Sequence, residues 1–461
     1  MAVKKSVFVK SLSILASCLV LMAATSCEKK TGQESAVGQS DARITAEDLE
    51  QASGTLEYWS AFTGDSLKWD EWRVAEFEKL YPNVKVNLQS VPESAGVGNG
   101  KLLSAIASGN PPDVIVADDY VITYGYAGQG AFEPWDPYLE AIDLSIDDFM
   151  PGFHNLMEYD GKTYLLPQDS NVYFMFINTE LADAAGLDYV NNYPKTIAEL
   201  TEWADKLTIK DSSGRVTQYG FIPWADRGND DPTMWPYMYG ADIYIASTNK
   251  LELTDPRVVA SFEWEREFAK KFDPTVAKAI VQTAGGFFSP AHPFFQNKLA
   301  MTISGNWTTN ALRIYAPDIK YVCVPIPVPP GGRVGGTTLG SNVFAIPKGS
   351  KRPDLAALFF KFTQRAEINA DNFDTWRSIP CVDAIFDDVS WIKNGDPIYM
   401  LEREIANSPN SGHPALCAVS AELSKQLAAV RDNVIYNDRD PLPLLQEVQD
   451  RLQPELDKVK Q

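Results

Sequence analysis

The chain is poor in histidine and in basic residues, and long apolar runs are missing after its start. Three histidines in 461 residues argue against most zinc enzymes and most Ser-His hydrolases, because those sites are built from imidazole. Lys and Arg number 41 against 61 Asp and Glu, a formal net charge of −20, which argues against nucleic acid as a partner. After residue 27 no segment supplies about 18 uninterrupted apolar residues, so the sequence predicts no transmembrane helix.

The first 27 residues have the pattern of an export signal. Three lysines lie within the first ten residues, and the apolar stretch 12–24 is too short to span a bilayer. Small residues follow the apolar stretch and lead to Cys27. The sequence from Ala24 to Cys27 resembles a bacterial lipobox, although Ala24 stands where Leu is usual. We predict a lipoprotein signal peptide over 1–27 with acylation of Cys27. A secretory signal cut nearby is the alternative.

Residues 28–53 carry Gly, Gln, Ser, Asp and Glu with little hydrophobic periodicity, which predicts a flexible tether. Beyond Cys27 the chain has only Cys323, Cys381 and Cys417, an odd set that allows at most one disulfide. Two interpretations stay open for these residues: buried thiols, or a Cys381–Cys417 bridge.

From Thr55 onward, short β-like runs alternate with helical patterns, which indicates an α/β protein with helices on the faces of a sheet. A capping box at Thr196 and Glu199 opens a helix whose apolar face is Ile197, Leu200, Ala204 and Leu207. The other predicted strands are 55–59, 84–88 and 113–117, and the other predicted helices are 69–80, 102–107 and 354–362.

Short motifs in a fixed order then carry a family resemblance. They are Tyr58-Trp-Ser60 with Thr63-Gly64, and the segments 77–82, 108–114, 159–167, 176–178, 185–187, 296–301, 305–307, 331–332, 340–342 and 347–351. Each motif is weak alone, but together they span nearly the whole chain after the signal. The chain resembles extracellular solute-binding proteins of the family 1 type, the capture subunits of ABC importers, mostly for sugars.

The resemblance implies a two-lobe α/β fold of the periplasmic-binding-protein type, which closes around its ligand at a hinge. It also implies three crossings between lobes, which we place near Gln168–Tyr173, Ala300–Gly305 and Ser341–Ile346. The first lobe would then be 54–168 plus 303–342, and the second lobe 172–300 plus 346–461.

A sugar presents a patchy apolar face and a rim of hydroxyls, so aromatic rings and polar side chains are its natural partners. Tryptophans in loops or at strand ends are therefore candidate ligand contacts, and packing is the alternative for each. They are Trp59, Trp224, Trp235, Trp307 and Trp376.

The polar candidates lie where ligands bind in α/β sheets, just beyond the carboxyl ends of strands, or at the proposed crossings. Helix capping is the alternative for the two adjacent aspartates among them. They are Ser60, Thr63, Gly64, Asp118, Asp119, Asp169, Asn306, Asn342 and Arg377.

The sequence shows no catalytic motif, and we expect no cofactor and no metal. The predicted protein is a monomer that captures a sugar or oligosaccharide, delivers it to ABC permease subunits, and is held at the extracytoplasmic or periplasmic membrane face through Cys27. Two rival functions stay open. One is a secreted glycoside hydrolase or lyase, which needs only two carboxylates. The other is a binding protein for glycerol phosphate, a polyamine, a peptide or iron.

Overall fold

The computed structural model describes residues 44–92, 100–118, 120–224, 231–271, 274–275, 277, 289–370, 377–386 and 395–459. The strands are β1 (Gly54–Ser60), β2 (Val84–Ser90), β3 (Val114–Ala117), β4 (Phe132–Glu133), β5 (Glu158–Tyr159), β6 (Lys162–Thr163), β7 (Leu166–Pro167), β8 (Asn171–Asn178), β9 (Ile209–Lys210), β10 (Val216–Gln218), β11 (Tyr244–Ile245), β12 (Lys250–Leu251), β13 (Met301–Gly305), β14 (Tyr321–Val324), β15 (Leu339–Gly340) and β16 (Val343–Pro347). The α-helices are α1 (Ala46–Glu50), α2 (Gly64–Leu80), α3 (Lys101–Ala107), α4 (Tyr120–Gly128), α5 (Asp136–Leu139), α6 (His154–Met157), α7 (Thr179–Ala184), α8 (Ile197–Leu207), α9 (Met234–Met238), α10 (Pro256–Lys271), α11 (Trp307–Tyr315), α12 (Pro353–Thr363), α13 (Asp383–Phe386), α14 (Pro397–Ala406), α15 (Ser420–Asn437) and α16 (Pro441–Val459).

The first sheet has the strand order β2-β1-β3-β16-β4, and β7 also pairs with β16. Its first three strands are parallel, whereas β16 runs antiparallel to β3. All four residues of β3 are buried, because helices cover both faces of a parallel sheet and leave its central strand no solvent side.

The second sheet is built around β8, which is flanked by β13 and β14 and also pairs with β15. Every one of these pairings is antiparallel. Successive side chains of β8 point to opposite faces of the sheet, as the period of a strand requires. Phe174 and Phe176 join the core that includes the first sheet, while Met175 and Ile177 join the core of the second lobe.

Every element that the sequence predicts by its bounds is present in the structure. The strands at 55–59, 84–88 and 113–117 correspond to β1, β2 and β3, and the helices at 69–80, 102–107 and 354–362 to α2, α3 and α12. The capping box is confirmed: the Thr196 hydroxyl accepts from the Glu199 N–H at 3.2 Å, and the Glu199 carboxylate accepts from the Thr196 N–H at 2.9 Å.

The chain passes between the two sheets at places that only partly match the predicted crossings. It leaves the first sheet after Pro167 and enters the second at Asn171, and it returns between Gly340 and Val343. Both changes lie within predicted crossings, but the one expected at Ala300–Gly305 does not occur there. Those residues include β13, which pairs with β8 throughout.

The predicted extent of the lobes needs a matching correction. The stretch 303–342 was expected in the first lobe, yet β14 and β15 pair with β8 in the second sheet. Conversely, 346–461 was expected in the second lobe, whereas the end of β16 pairs in the first sheet and α12 contacts β1 and β16. The sequence motifs marked the ends of these strands but gave no information on which sheet each strand joins.

Cys323, Cys381 and Cys417 are free thiols, so the structure supports the first interpretation rather than a Cys381–Cys417 bridge. Within the part of the chain that the structure describes, no helix combines the length and apolarity needed to cross a membrane. The predicted signal peptide with Cys27, and most of the predicted tether, lie outside the described residues. The described end of the tether was predicted wrongly as flexible, because it contains α1, whose Leu49 is buried in the core of the first lobe.

Candidate ligand-binding site

Three chain segments run side by side between the two sheets: 168–170, 341–342 and 377–382. We call them the junction. The Gln168 N–H donates to the Asn342 carbonyl at 2.8 Å, and the Ser170 N–H donates to the Ile379 carbonyl at 2.7 Å. These backbone bonds align the three segments, so residues that are far apart in the sequence meet there.

Asp169 is the buried acid of the junction, and its carboxylate accepts hydrogen bonds from Asn342. The Asn342 N–H donates to Asp169 Oδ1 at 3.0 Å, and the Asn342 amide group donates to Oδ2 at 2.9 Å. Burial raises the pKa of Asp169 to about 6, although the bonds from Asn342 and the Ser378 side chain oppose the rise. The predicted residues Asp169 and Asn342 therefore form one interacting pair.

Asp118 lies at the carboxyl end of β3 and is exposed. Its charge contributes to the raised pKa of Asp169, so the two carboxylates lie within electrostatic range of each other. An exposed carboxylate beside a buried polar pair offers acceptors for ligand hydroxyl groups. Asp119, the other member of the predicted pair, lies outside the described residues.

Trp307 begins α11 directly beyond the end of β13. A Cβ atom on Gly305 would lie only 2.1 Å from the Trp307 ring, so the indole folds back over the glycine. The ring of Tyr173 meets Trp307 edge-on, with the ring centroids 5.5 Å apart. Trp307 stays partly exposed, as a ring that stacks on a sugar must be.

Asn306 and Arg377 connect this aromatic pair to the junction. The Asn306 side-chain amide donates to the Arg377 carbonyl, and its buried Oδ1 has no hydrogen-bond partner among the described residues. Arg377 has a φ of +61° and donates through its guanidinium to the Tyr399 hydroxyl. The predicted residue Trp376 lies outside the described residues.

The remaining candidates from the first lobe lie at the end of β1. Ser60 is fully buried, and its hydroxyl accepts from the Phe62 N–H at 3.1 Å. Thr63 and Gly64 are exposed at the start of α2. Trp59 is half-buried, with the ammonium of Lys101 lying 4.7 Å from its ring centroid.

Trp224 and Trp235, by contrast, lie in the core of the second lobe. Trp235 is 1% exposed, donates its indole N–H to the Pro223 carbonyl at 2.9 Å, and meets Trp264 with ring centroids 4.6 Å apart. Trp224 is 9% exposed and packs edge-on against Phe268. In this structure neither ring offers an open face for a sugar, which supports the packing alternative for both.

Sequence reasoning missed Tyr173 and Ser378. Tyr173 is the third residue of β8, the strand that follows the first passage between sheets, and that position was the one available signal for it. Ser378 approaches Asp169 only because the chain turns at residue 377, and no sequence motif marks that turn. Among the described residues, no group of three or more His, Cys, Asp or Glu side chains is arranged to hold a metal ion.

The comparisons with known proteins agree with this architecture. The arabinooligosaccharide-binding protein of Bacillus subtilis is 25% identical over 336 residues, which is 71% of this chain and 73% of that protein. A binding protein solved with mannotriose bound is 30% identical, with a TM-score of 0.75 over 86% of this chain and 99% of that one. The sugar-binding protein MalE of Xanthomonas citri shares the fold, with a TM-score of 0.73 at 18% identity over 88% of this chain and 98% of its own.

The model of one protein family covers residues 64–370, which is more than half of the chain. Its matched region includes the second sheet, every strand of the first sheet except β1 and, of the junction, the segments 168–170 and 341–342. The chain belongs to the family of bacterial extracellular solute-binding proteins.

Proposed function

We propose that this protein is the extracytoplasmic solute-binding component of an ABC importer and that it holds a sugar or oligosaccharide at the junction between its lobes. The observation that carries the proposal is that a partly exposed aromatic ring is connected, through the bond from its neighbour Asn306 to Arg377, to the junction and its oxygen acceptors. Trp307 supplies the ring, and Asp118 with the Asp169–Asn342 pair supplies the acceptors.

This combination fits a neutral carbohydrate better than an anion. Carboxylates at Asp118 and Asp169 would repel a phosphate group, and the Arg377 guanidinium that could attract one is bonded to Tyr399. Two relatives point the same way, because one binds arabinooligosaccharides and another was solved with mannotriose bound. Since both ligands are oligosaccharides, we expect this chain to bind one of two or more units.

A thermal-shift screen against mono- and oligosaccharides tests the proposal. A ligand that binds only the folded state at 100 times its Kd adds about 2.7 kcal/mol to the free energy of unfolding, which raises the melting temperature. Glycerol phosphate, polyamines, peptides and ferric iron belong in the same screen. A shift with one of these and none with any saccharide would overturn the choice of ligand.

The Trp307→Ala variant tests where the sugar binds. Loss of a stacked ring should weaken saccharide binding about tenfold, or roughly 1.4 kcal/mol, by isothermal titration calorimetry. Tyr315→Ala is the matched control, because Tyr315 is an exposed aromatic residue at the far end of α11, about 12 Å along the same helix. Equal affinities in the two variants would remove Trp307 from the site.

We also propose that the protein has no catalytic activity and works as a monomer anchored through an acylated Cys27. Labelled oligosaccharides recovered unchanged after long incubation support the first point, whereas turnover contradicts it. Analytical ultracentrifugation tests whether the protein is a monomer, and a sedimentation coefficient that fits a dimer contradicts it. Cys27→Ala should release the protein from the membrane fraction and abolish labelling by a fatty acid analogue.

A further inference from the structure

The buried face of α2 carries an ion pair. Asp70 and Arg73 are one turn apart, both side chains are fully buried, and Arg73 Nε lies 2.5 Å from Asp70 Oδ1. Phe77, one turn further on, is also fully buried in the core of the first lobe. A helix face that packs against a sheet is normally apolar like Phe77, so two charges at this position require an explanation.

Hydrogen bonds extend the pair in two directions. The Tyr58 hydroxyl on β1 donates to Asp70 Oδ2 at 3.0 Å and accepts from Arg73 Nη2. Arg73 Nη1 donates to the side-chain oxygen of Gln168 at 2.6 Å. The guanidinium also lies over the ring of Trp69, at 4.5 Å from its centroid, so the surrounding rings fix its plane.

Both ends of this network lie at the candidate site. Gln168 is the first residue of the junction, its N–H donates to the Asn342 carbonyl, and Asp169 follows it directly. At the other end, burial raises the pKa of Asp70, and the charge of Arg73 and the Ser60 hydroxyl oppose the rise. The network therefore runs from the end of β1 to the first passage between the sheets.

Stability alone does not account for such a pair. Buried ion pairs lose their hydration, and apolar residues of similar volume often give equal or greater stability. The bond from Arg73 to Gln168 does something that an apolar side chain cannot do. It fixes the orientation of a residue in the junction relative to a helix of the first lobe.

We propose that Asp70 and Arg73 are positioning residues, which hold the Gln168–Asp169 backbone against the first lobe so that Asp169 and Asn342 are arranged before the ligand binds. The inference rests on the proposed function, since it concerns the same site. Neither residue touches the ligand. Their contribution is preorganisation, which increases affinity because less of the binding free energy is spent on ordering the site.

The test replaces the pair by apolar residues of similar size, Asp70→Leu together with Arg73→Met. We expect saccharide binding at least fivefold weaker and faster amide hydrogen exchange at Gln168 and Ser170. Glu76→Gln with Lys79→Met is the matched control, because that pair has the same spacing on the same helix but lies at the surface, with Lys79 exposed and Glu76 half-buried. The control should change neither affinity nor exchange.

A folded double variant with unchanged exchange at the junction and unchanged affinity would overturn the inference. Hydrogen exchange needs no ligand, so it still decides the point if the protein binds no saccharide and the proposed function fails. If the double variant does not fold, Gln168→Met removes only the bond to Arg73 and leaves the ion pair intact. In Gln168→Met, the amide hydrogen of Ser170 should then exchange faster. In Gln168→Glu, which keeps an acceptor for Arg73, its exchange rate should stay unchanged. Identical exchange rates at Ser170 in these two variants also overturn the inference.

Discussion

Asp169 gives the stability of this protein a pH dependence that can be worked out from the structure. Its pKa is about 6 in the folded protein and about 3.9 in an unfolded chain, because burial disfavours the charged carboxylate. The folded state therefore holds the Asp169 proton more tightly than the unfolded state does. Stability from this group is fully present below pH 4 and is lost as the pH rises through 6.

The size of the effect follows from the shift. About two pKa units at 1.36 kcal/mol each correspond to roughly 3 kcal/mol of unfolding free energy lost between pH 4 and pH 7. Asp169→Asn carries no ionisable group at this position, so the variant lacks this loss. The difference in unfolding free energy, variant minus unaltered protein, should increase by about 3 kcal/mol over the same range.

Urea unfolding followed by tryptophan fluorescence at half-unit pH steps measures this difference. Taking the difference between two otherwise identical proteins cancels the titrating groups that do not interact with Asp169, including Glu265, whose pKa burial raises to about 8. Parallel curves for Asp169→Asn and the unaltered protein would refute the reasoning. So would a difference that decreases between pH 4 and pH 7, because the sign depends on the carboxyl group being buried in the native state.

Three further predictions concern groups other than Asp169. The difference in unfolding free energy, Glu265→Gln minus the unaltered protein, should be larger at pH 9 than at pH 6, because the buried carboxylate becomes charged only above a pKa of about 8. Urea unfolding at both pH values checks this. Cys381 and Cys417 should not react with a thiol reagent until the protein unfolds, since both are buried with raised pKa values, and rapid labelling of the native protein contradicts it. Thr196→Ala should cost about 1 kcal/mol by removing the cap of α8, with Thr201→Ala on the same helix as a comparison for a hydroxyl that caps nothing.

The local elements were predictable because their signals are local. Alternation at β1, helical spacing over α2 and the capping box of α8 each depend on a few neighbouring residues. The assignment of β14, β15 and β16 to sheets was not predictable in this way. Each is a short apolar strand, and its partner is chosen by contacts with residues more than 100 positions away.

The candidate site also combines features that local sequence signals predict with features that depend on distant residues. Positions just after strands, such as Asp118 and Trp307, could be proposed as site residues because strand ends and glycine corners can be read from the sequence. The pairing of Asp169 with Asn342 spans 173 residues and depends on the fold. Trp235 illustrates the opposite difficulty: its loop-like setting suggested a ligand contact, yet the tertiary structure buries the ring and satisfies its N–H.

The most direct test of the central claim is a crystal structure of the protein with the saccharide that gives the largest thermal shift. The account predicts a sugar ring stacked on Trp307, with Asp118 or the Asp169–Asn342 pair within hydrogen-bonding distance of its hydroxyl groups. A saccharide bound elsewhere, with Trp307 free of contact, would contradict the account.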